Sequence, residues 1–344
     1  MIKQKELGTY SGKALTEIEI SNDSRLRITA LNLGCRINGI YLKNEKGEEE
    51  NLVLAYEDPA DYVTDGNALG AVVGRVAGRI PNAEAKVEGQ KYSLTKNHGE
   101  HHLHGGETGF ADVLWDVDIQ DDEKKPAVVF SYISEDGEEG YPGRLNVKVT
   151  YTLEEDKLTM DYKASSDQAT LVSLTNHSYF NLSGDLQSSV LNQTLKGPAE
   201  GVLEMDGEMI PTGEVLPAAD LFPMKQGEAI NAVKKNDHPQ LLLAGRGLDH
   251  FFIWGNTKED IVFAGDTGIK MTVQTTEPGA VIFSASQMGE DLKLKNGSSF
   301  PFAGLCIETQ RLPAGFSKQG KTCELKKDET YQASTSFHFA PRLK

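Results

Sequence analysis

Along much of the chain, apolar and polar residues alternate with a period of two. Leu145, Val147, Val149 and Tyr151 interleave with Asn146, Lys148, Thr150 and Thr152, and Leu158, Met160, Tyr162 and Ala164 repeat the pattern after EEDK. Successive side chains of a strand point to opposite faces, so this period predicts two half-buried strands joined as a hairpin. Shorter runs at 26–30, 127–133, 172–174, 250–254, 271–275 and 280–284 predict further strands. Asp136-Gly137, Asp206-Gly207 and Asn296-Gly297 punctuate the chain as turns, because these residues accept the left-handed backbone that tight turns need. Helical periodicity is weak, limited to a turn or two around 58–62 and 229–235. Many short strands without long helices between them predict an all-β fold, a large antiparallel β-sandwich. No linker, composition break or repeat divides the chain, which predicts one domain over residues 1–344.

Composition narrows the classes of function. Apolar residues make up 38% of the chain, enough for a sizeable core. Acidic residues outnumber basic ones 51 to 35, for a formal charge of −16. Such a surface disfavours nucleic acid and anionic membranes as partners, and fits poorly with a strongly anionic substrate. Cys35, Cys306 and Cys323 are an odd set without a CxxC pair, which argues against a disulfide framework or a cysteine zinc site. The first residues, MIKQKELGTYSGK, contain no apolar leader, and no run approaches the ~20 apolar residues of a membrane span. A cytoplasmic protein is expected.

Four of the eight histidines, His98, His101, His102 and His104, crowd into one window followed by Gly105-Gly106. Histidine changes charge near neutral pH, so it can serve as acid, base or metal ligand. Pairs such as His101/His104 or His98/His102 have ligand-like spacing, but the segment is a glycine-rich loop without the HExxH helix of a zinc enzyme. We read it as one wall of a sugar site, with no metal. The glycines suggest a tight turn or a close approach of backbone to ligand.

Four further residues carry candidate chemistry, each with a blander alternative. Glu308 stands in GLCIETQ, where alternation places it with Cys306 and Gln310 on one strand face. It is either a surface glutamate or a desolvated carboxylate whose raised pKa makes it a better base. His177, in TNHSYFNLSG, is either structural or catalytic, and its polar neighbours Asn176, Ser178 and Asn181 could fix its tautomer. Asp249 precedes an aromatic run in GLDHFFIW and is either a turn residue or a holder of sugar hydroxyls beside aromatic faces. Arg79 has five fixed donors suited to sugar oxygens or a carboxylate, whereas Arg75 suits a structural role.

Together these segments resemble the aldose 1-epimerase (galactose mutarotase) family. The carrying motifs are GRVAGRI at 74–80, HLHGG at 102–106, DGEEGYPG at 136–143, TNHSYFNLSG at 175–184, GLDHFF at 247–252, TTEPG at 275–279 and GLCIETQ at 304–310. They run in the family's order and cover nearly the whole chain. The resemblance implies a galactose mutarotase-like supersandwich and a cofactor-free enzyme exchanging the α and β anomers of free aldoses such as glucose, galactose or maltose. It implies Glu308 as the general base at the C1 hydroxyl and His177 as the general acid at the ring oxygen. His104, Arg79 and Asp249 would bind and orient the sugar.

There are departures from the family pattern. Gly78 stands where some members carry Asn, and Glu277 replaces a Gln. A pocket-facing Glu277 would add negative charge near Glu308. No role is carried onto His101 or His102. The assigned roles require Glu308 ionised and His177 protonated, and neighbouring carboxylates would favour the charged imidazole. The expected rate is a plateau around neutral pH, falling on both sides. Competing readings are a non-catalytic carbohydrate-binding sandwich, a glycosidase using Asp249 with Glu308, and a mutarotase for hexose phosphates. A monomer or a homodimer is expected.

Overall fold

The strongest alternating segments form the hairpin that their period predicts. In the computed structural model, which describes residues 1–255, 259–314 and 323–341, strand Leu145–Glu154 pairs antiparallel with Lys157–Ser166. Val149 faces Tyr162 across the ladder, and burial alternates strictly along Lys157–Ser166. These strands lie inside a nine-stranded antiparallel sheet. Strand Thr330–Ala340, from near the end of the chain, joins Lys157–Ser166 to Lys270–Thr275, so the middle of this sheet unites distant parts of the sequence.

Two five-stranded antiparallel sheets complete the sandwich. One is the N-terminal meander from Ile2–Tyr10 to Glu49–Asn51. The other runs Pro211–Pro217, Ala199–Met205, Asp249–Trp254, Gly279–Phe283 and Cys306–Gln310. A single apolar cluster draws Ile18 and Ile28 from the first, Val149, Met160 and Phe337 from the nine-stranded sheet, and Val202, Phe252 and Ile307 from the last. Full burial of such a side chain contributes roughly 1.5–3 kcal/mol, which is why the faces of three sheets converge.

The predicted turns at 58–62 and 229–235 are 3-10 segments, Pro59–Thr64 and Ile230–Lys235, the first capped by the Asp58 side chain. Two short helices, Ala218–Leu221 and Pro239–Leu243, were beyond the reach of periodicity because neither completes two turns. The strand expected at 172–174 is interrupted. Only Ser173 bridges there, to Val76, between the two-residue strands Thr170–Leu171 and Thr175–Asn176. Its partner is the irregular 74–78 segment, which offers too short a straight edge for a longer ladder. Among the described residues, no helix is long and apolar enough to cross a membrane.

This interrupted region positions the candidate site. Phe180 and Leu305 exchange backbone hydrogen bonds of 2.9 Å, which lays segment 175–181 beside the start of Cys306–Gln310. Thr175–Asn176 pairs in turn with Val72–Val73, and Arg79–Ile80 pairs with His102–Leu103.

Candidate functional site

All five residues of strand Cys306–Gln310 are buried, and Glu308 is only 2% exposed. Its register partner across the ladder is Val281. Burial pushes its pKa well above the ordinary carboxylate value; the negative charge of Asp249 adds to the rise and Arg79 opposes it. The surface-glutamate alternative is thereby removed.

His177 is 5% exposed and presents Nε2 to Glu308 Oε1 at 3.5 Å. Its ring tilts against Tyr179, with centroids 5.0 Å apart, and meets the edge of Phe283 at 6.0 Å. On the other side of the ring, Nδ1 lies 3.5 Å from Cys306 Sγ. The expectation that nearby carboxylates hold this imidazole protonated is not met. Burial dominates and lowers its pKa to about 4, although its own carbonyl, Asp65 and Asp249 all pull the other way. Removing a cation from water outweighs attraction to charges that do not contact it.

The remaining sequence-predicted residues converge on this pair. The His104 ring packs edge-on to His177, with centroids 5.6 Å apart, and its Nδ1 accepts from the Gly78 amide at 3.3 Å. Enclosure of the ring, then the neighbouring His177 and Arg79, lowers its pKa well below the usual value. Arg79 Nη2 stands 3.4 Å from Asp249 Oδ2, with both side chains partly exposed. Buried Arg79 Nε has no hydrogen-bond partner among the described residues. The glycines after His104 serve a close approach, though to backbone: a Cβ on Gly105, at φ +94°, would stand 1.8 Å from the Gly74 carbonyl oxygen. His104 is thus held against 74–79 because residue 105 has no side chain.

Other candidates take structural places. His102 is fixed between the Thr95 carbonyl at 2.7 Å and the Tyr141 hydroxyl at 2.8 Å. His101 Nδ1 accepts from the Asn82 amide at 3.0 Å. Buried Arg75 donates to Ser134, Glu135, Pro142 and Thr170 and so ties its own segment to 134–135, 142 and 170. Glu277 lies 3.8 Å from Arg311 Nε, and its charge is not among those that shift Glu308. Phe251 and Phe252 are fully buried in apolar clusters, so they are not sugar platforms. Phe283 and Tyr179 are the aromatic rings beside His177. Sequence reasoning missed Phe283 because it lies on a neighbouring strand, whereas Cys306 was legible as sharing the face of Glu308.

Ligand atoms of His104, His177 and Glu308 lie within 4.8 Å of one another, so this trio, rather than the histidine pairs read from spacing, is the set that could hold a metal ion among the described residues. The same set is also suited to proton traffic: an enclosed carboxyl with raised pKa, in contact with an imidazole whose pKa is depressed, can share one proton.

Residues 16–338 match the family model described as aldose 1-epimerase. The chain is 35% identical over 340 residues to human galactose mutarotase, covering 96% of this chain and 95% of that protein. It is 28% identical over 338 residues to the aldose 1-epimerase of Escherichia coli K12, covering 95% and 96%. The crystal structure of galactose 1-epimerase from Lactobacillus acidophilus NCFM superposes with a TM-score of 0.90 at 26% identity, over 100% of this chain and 99% of that one.

Proposed function

The chain belongs to the aldose 1-epimerase family, isomerases that exchange the α and β anomers of aldoses, and we propose that Glu308 and His177 carry the exchange here. The observation that carries this reading is the 3.5 Å contact between two enclosed groups of opposed acid–base character. Their substrate atoms would be O1 and O5 of a pyranose, two oxygens on the same carbon, which matches an acceptor and a donor this close.

Glu308 as carboxylate takes the proton of the C1 hydroxyl. The C1–O5 bond breaks, its electron pair goes to O5, and His177 as imidazolium supplies the proton there. The products are the open-chain aldehyde and a neutral Glu308–His177 pair. Rotation about C1–C2 then presents the other carbonyl face, and the two proton transfers run in reverse. Total proton count is constant throughout.

The pKa directions of the two groups give this cycle its balance. Burial disfavours the ion pair that accompanies the closed ring and favours the neutral pair that accompanies the aldehyde. The site therefore raises the share of a species that free sugar in water scarcely populates. Arg79, with its unpaired Nε, and Asp249 would hold hydroxyls and fix orientation; His104 would bind near C1.

A pure binding module has no use for an enclosed acid–base pair. A glycosidase would work from two carboxylates across one bond, whereas the group touching Glu308 is an imidazole. All three cysteines are buried free thiols, the state kept by a reducing compartment, which supports a cytoplasmic location. One core cluster reaches from Ile18 to Phe339, which supports a single domain.

Polarimetry on freshly dissolved α-D-glucose, α-D-galactose and maltose tests the reading. Wild type accelerates relaxation of free sugars, Glu308→Gln does not, and methyl α-D-glucoside, lacking the C1 hydroxyl proton, is inert with both. Unchanged turnover by folded Glu308→Gln would refute the assignment. Release of an aryl group from an aryl glycoside would support the glycosidase.

A further inference from the structure

Gln310 lies two positions beyond Glu308 on the same face of strand Cys306–Gln310, and is 1% exposed. Its carboxamide oxygen and nitrogen are both buried without a hydrogen-bond partner among the described residues. Leaving an enclosed amide unpaired is costly, and a buried hydrophobic side chain of equal size would be the more stable choice. Such a group is retained where something outside the fold completes its hydrogen bonds.

The direction of the side chain says where that partner sits. Gln310 Nε2 would be 3.6 Å from a Cβ on Gly78, so the amide reaches over the backbone of that glycine. The Gly78 amide is the group that donates to His104 Nδ1, and Arg79 follows it directly. With φ at +83°, residue 78 has a backbone that side-chain-bearing residues rarely adopt, and no side chain there stands against the carboxamide. Glu308, His104, Arg79 and the Gln310 amide thus belong to one wall.

We infer that Gln310 is a further substrate-binding residue whose carboxamide holds one sugar hydroxyl away from C1, an inference that rests on the site assignment above. A secondary hydroxyl both donates and accepts, and a carboxamide offers both complements: Oε1 accepts and Nε2 donates. The amide carries no charge and does not titrate, so it selects on the presence and direction of a hydroxyl. It therefore acts on sugar preference, leaving proton transfer to Glu308 and His177.

The test compares wild type with Gln310→Met, a neutral side chain of nearly equal size, on glucose and on its 2-, 3-, 4- and 6-deoxy analogues. Expected is a KM about three- to tenfold higher on glucose, the effect of one neutral hydrogen bond, with the loss falling on KM more than kcat. Wild type loses affinity for the deoxy sugar lacking the partnered hydroxyl, and Gln310→Met shows no further loss on that one. Its thermal midpoint is equal to or above that of wild type, because an unpaired buried amide has been removed. Wild-type KM on every sugar overturns the inference. So does a uniform loss on all of them with a lowered midpoint, which marks a structural amide. Glu308→Gln is run in parallel: if it retains turnover, the site assignment fails; if it is inactive while Gln310→Met behaves as wild type, only the role of Gln310 fails.

Discussion

Arg79 and Asp249 meet at 3.4 Å, Nη2 to Oδ2, and act on Glu308 with opposite sign. Asp249 raises the Glu308 pKa, whereas Arg79 lowers it. Asp249→Asn should therefore move the alkaline limb of the kcat/KM profile to lower pH, and Arg79→Met should move it higher. Both variants also raise KM, since both lose groups assigned to hydroxyls. That profile reports the free enzyme, so the comparison reads the empty site directly. Limbs shifting in the same direction would break the link between this ion pair and Glu308.

The wild-type profile follows from the pair itself. On the proposed roles, activity requires one proton shared between Glu308 and His177. Below about 4, His177 takes up a second proton, no acceptor remains, and the rate falls with falling pH. Above the raised pKa of Glu308 the shared proton is lost, no donor remains, and the rate falls with rising pH. Stopped-flow polarimetry across the range checks both limbs. A rate flat from pH 4 to 10 would be incompatible with this pair.

Replacing the base separates catalysis from stability. Glu308→Gln should lose about 10²–10⁴-fold in kcat, the usual contribution of a positioned acid–base group. Its thermal midpoint should not fall, because an enclosed ionisable group becomes a neutral amide of the same shape. His177→Asn should lose a comparable factor and, in its residual rate, the acid limb near 4. Full activity of His177→Asn would remove the acid from the scheme.

The trio His104, His177 and Glu308 makes metal dependence directly testable. Proton transfer by side chains needs no ion, so enzyme dialysed against EDTA should keep its turnover. Loss of activity restored by zinc would instead make the trio a catalytic metal centre.

Stability has its own buried pair. Arg36 and Asp65 are fully enclosed and meet at 2.5 Å, and Arg36 also donates to the Leu69 and Ala111 carbonyls at 3.2 Å each. Arg36→Met leaves Asp65 as an unpaired buried charge and should lower unfolding free energy by about 3–5 kcal/mol. Urea denaturation measures the loss.

How much of this was legible in the sequence varied with the range of the interaction. Period-two alternation found the hairpin of Leu145–Glu154 and Lys157–Ser166, because a half-buried strand writes its two faces into neighbouring residues. Alternation also put Cys306, Glu308 and Gln310 on one face, and the motifs named Arg79, His104, His177 and Asp249. At 172–174 the same reasoning failed, because strand pairing depends on a partner edge, and the partner there is irregular. One of the two readings of the GLDHFFIW segment set its aromatic run beside the sugar, whereas Phe251 and Phe252 lie in apolar clusters.

Residue types, order and strand faces were thus settled by the chain itself, since they depend on chemistry within a few positions. The charge states of Glu308 and His177 were decided by the tertiary structure alone. Proximity to carboxylates suggested a protonated His177, whereas enclosure by Tyr179, Phe283 and Cys306 leaves it neutral until about pH 4. Desolvation is the sum of everything packed around a group, and here Phe283 and Cys306 come from strands far along the chain, beyond the reach of the local pattern.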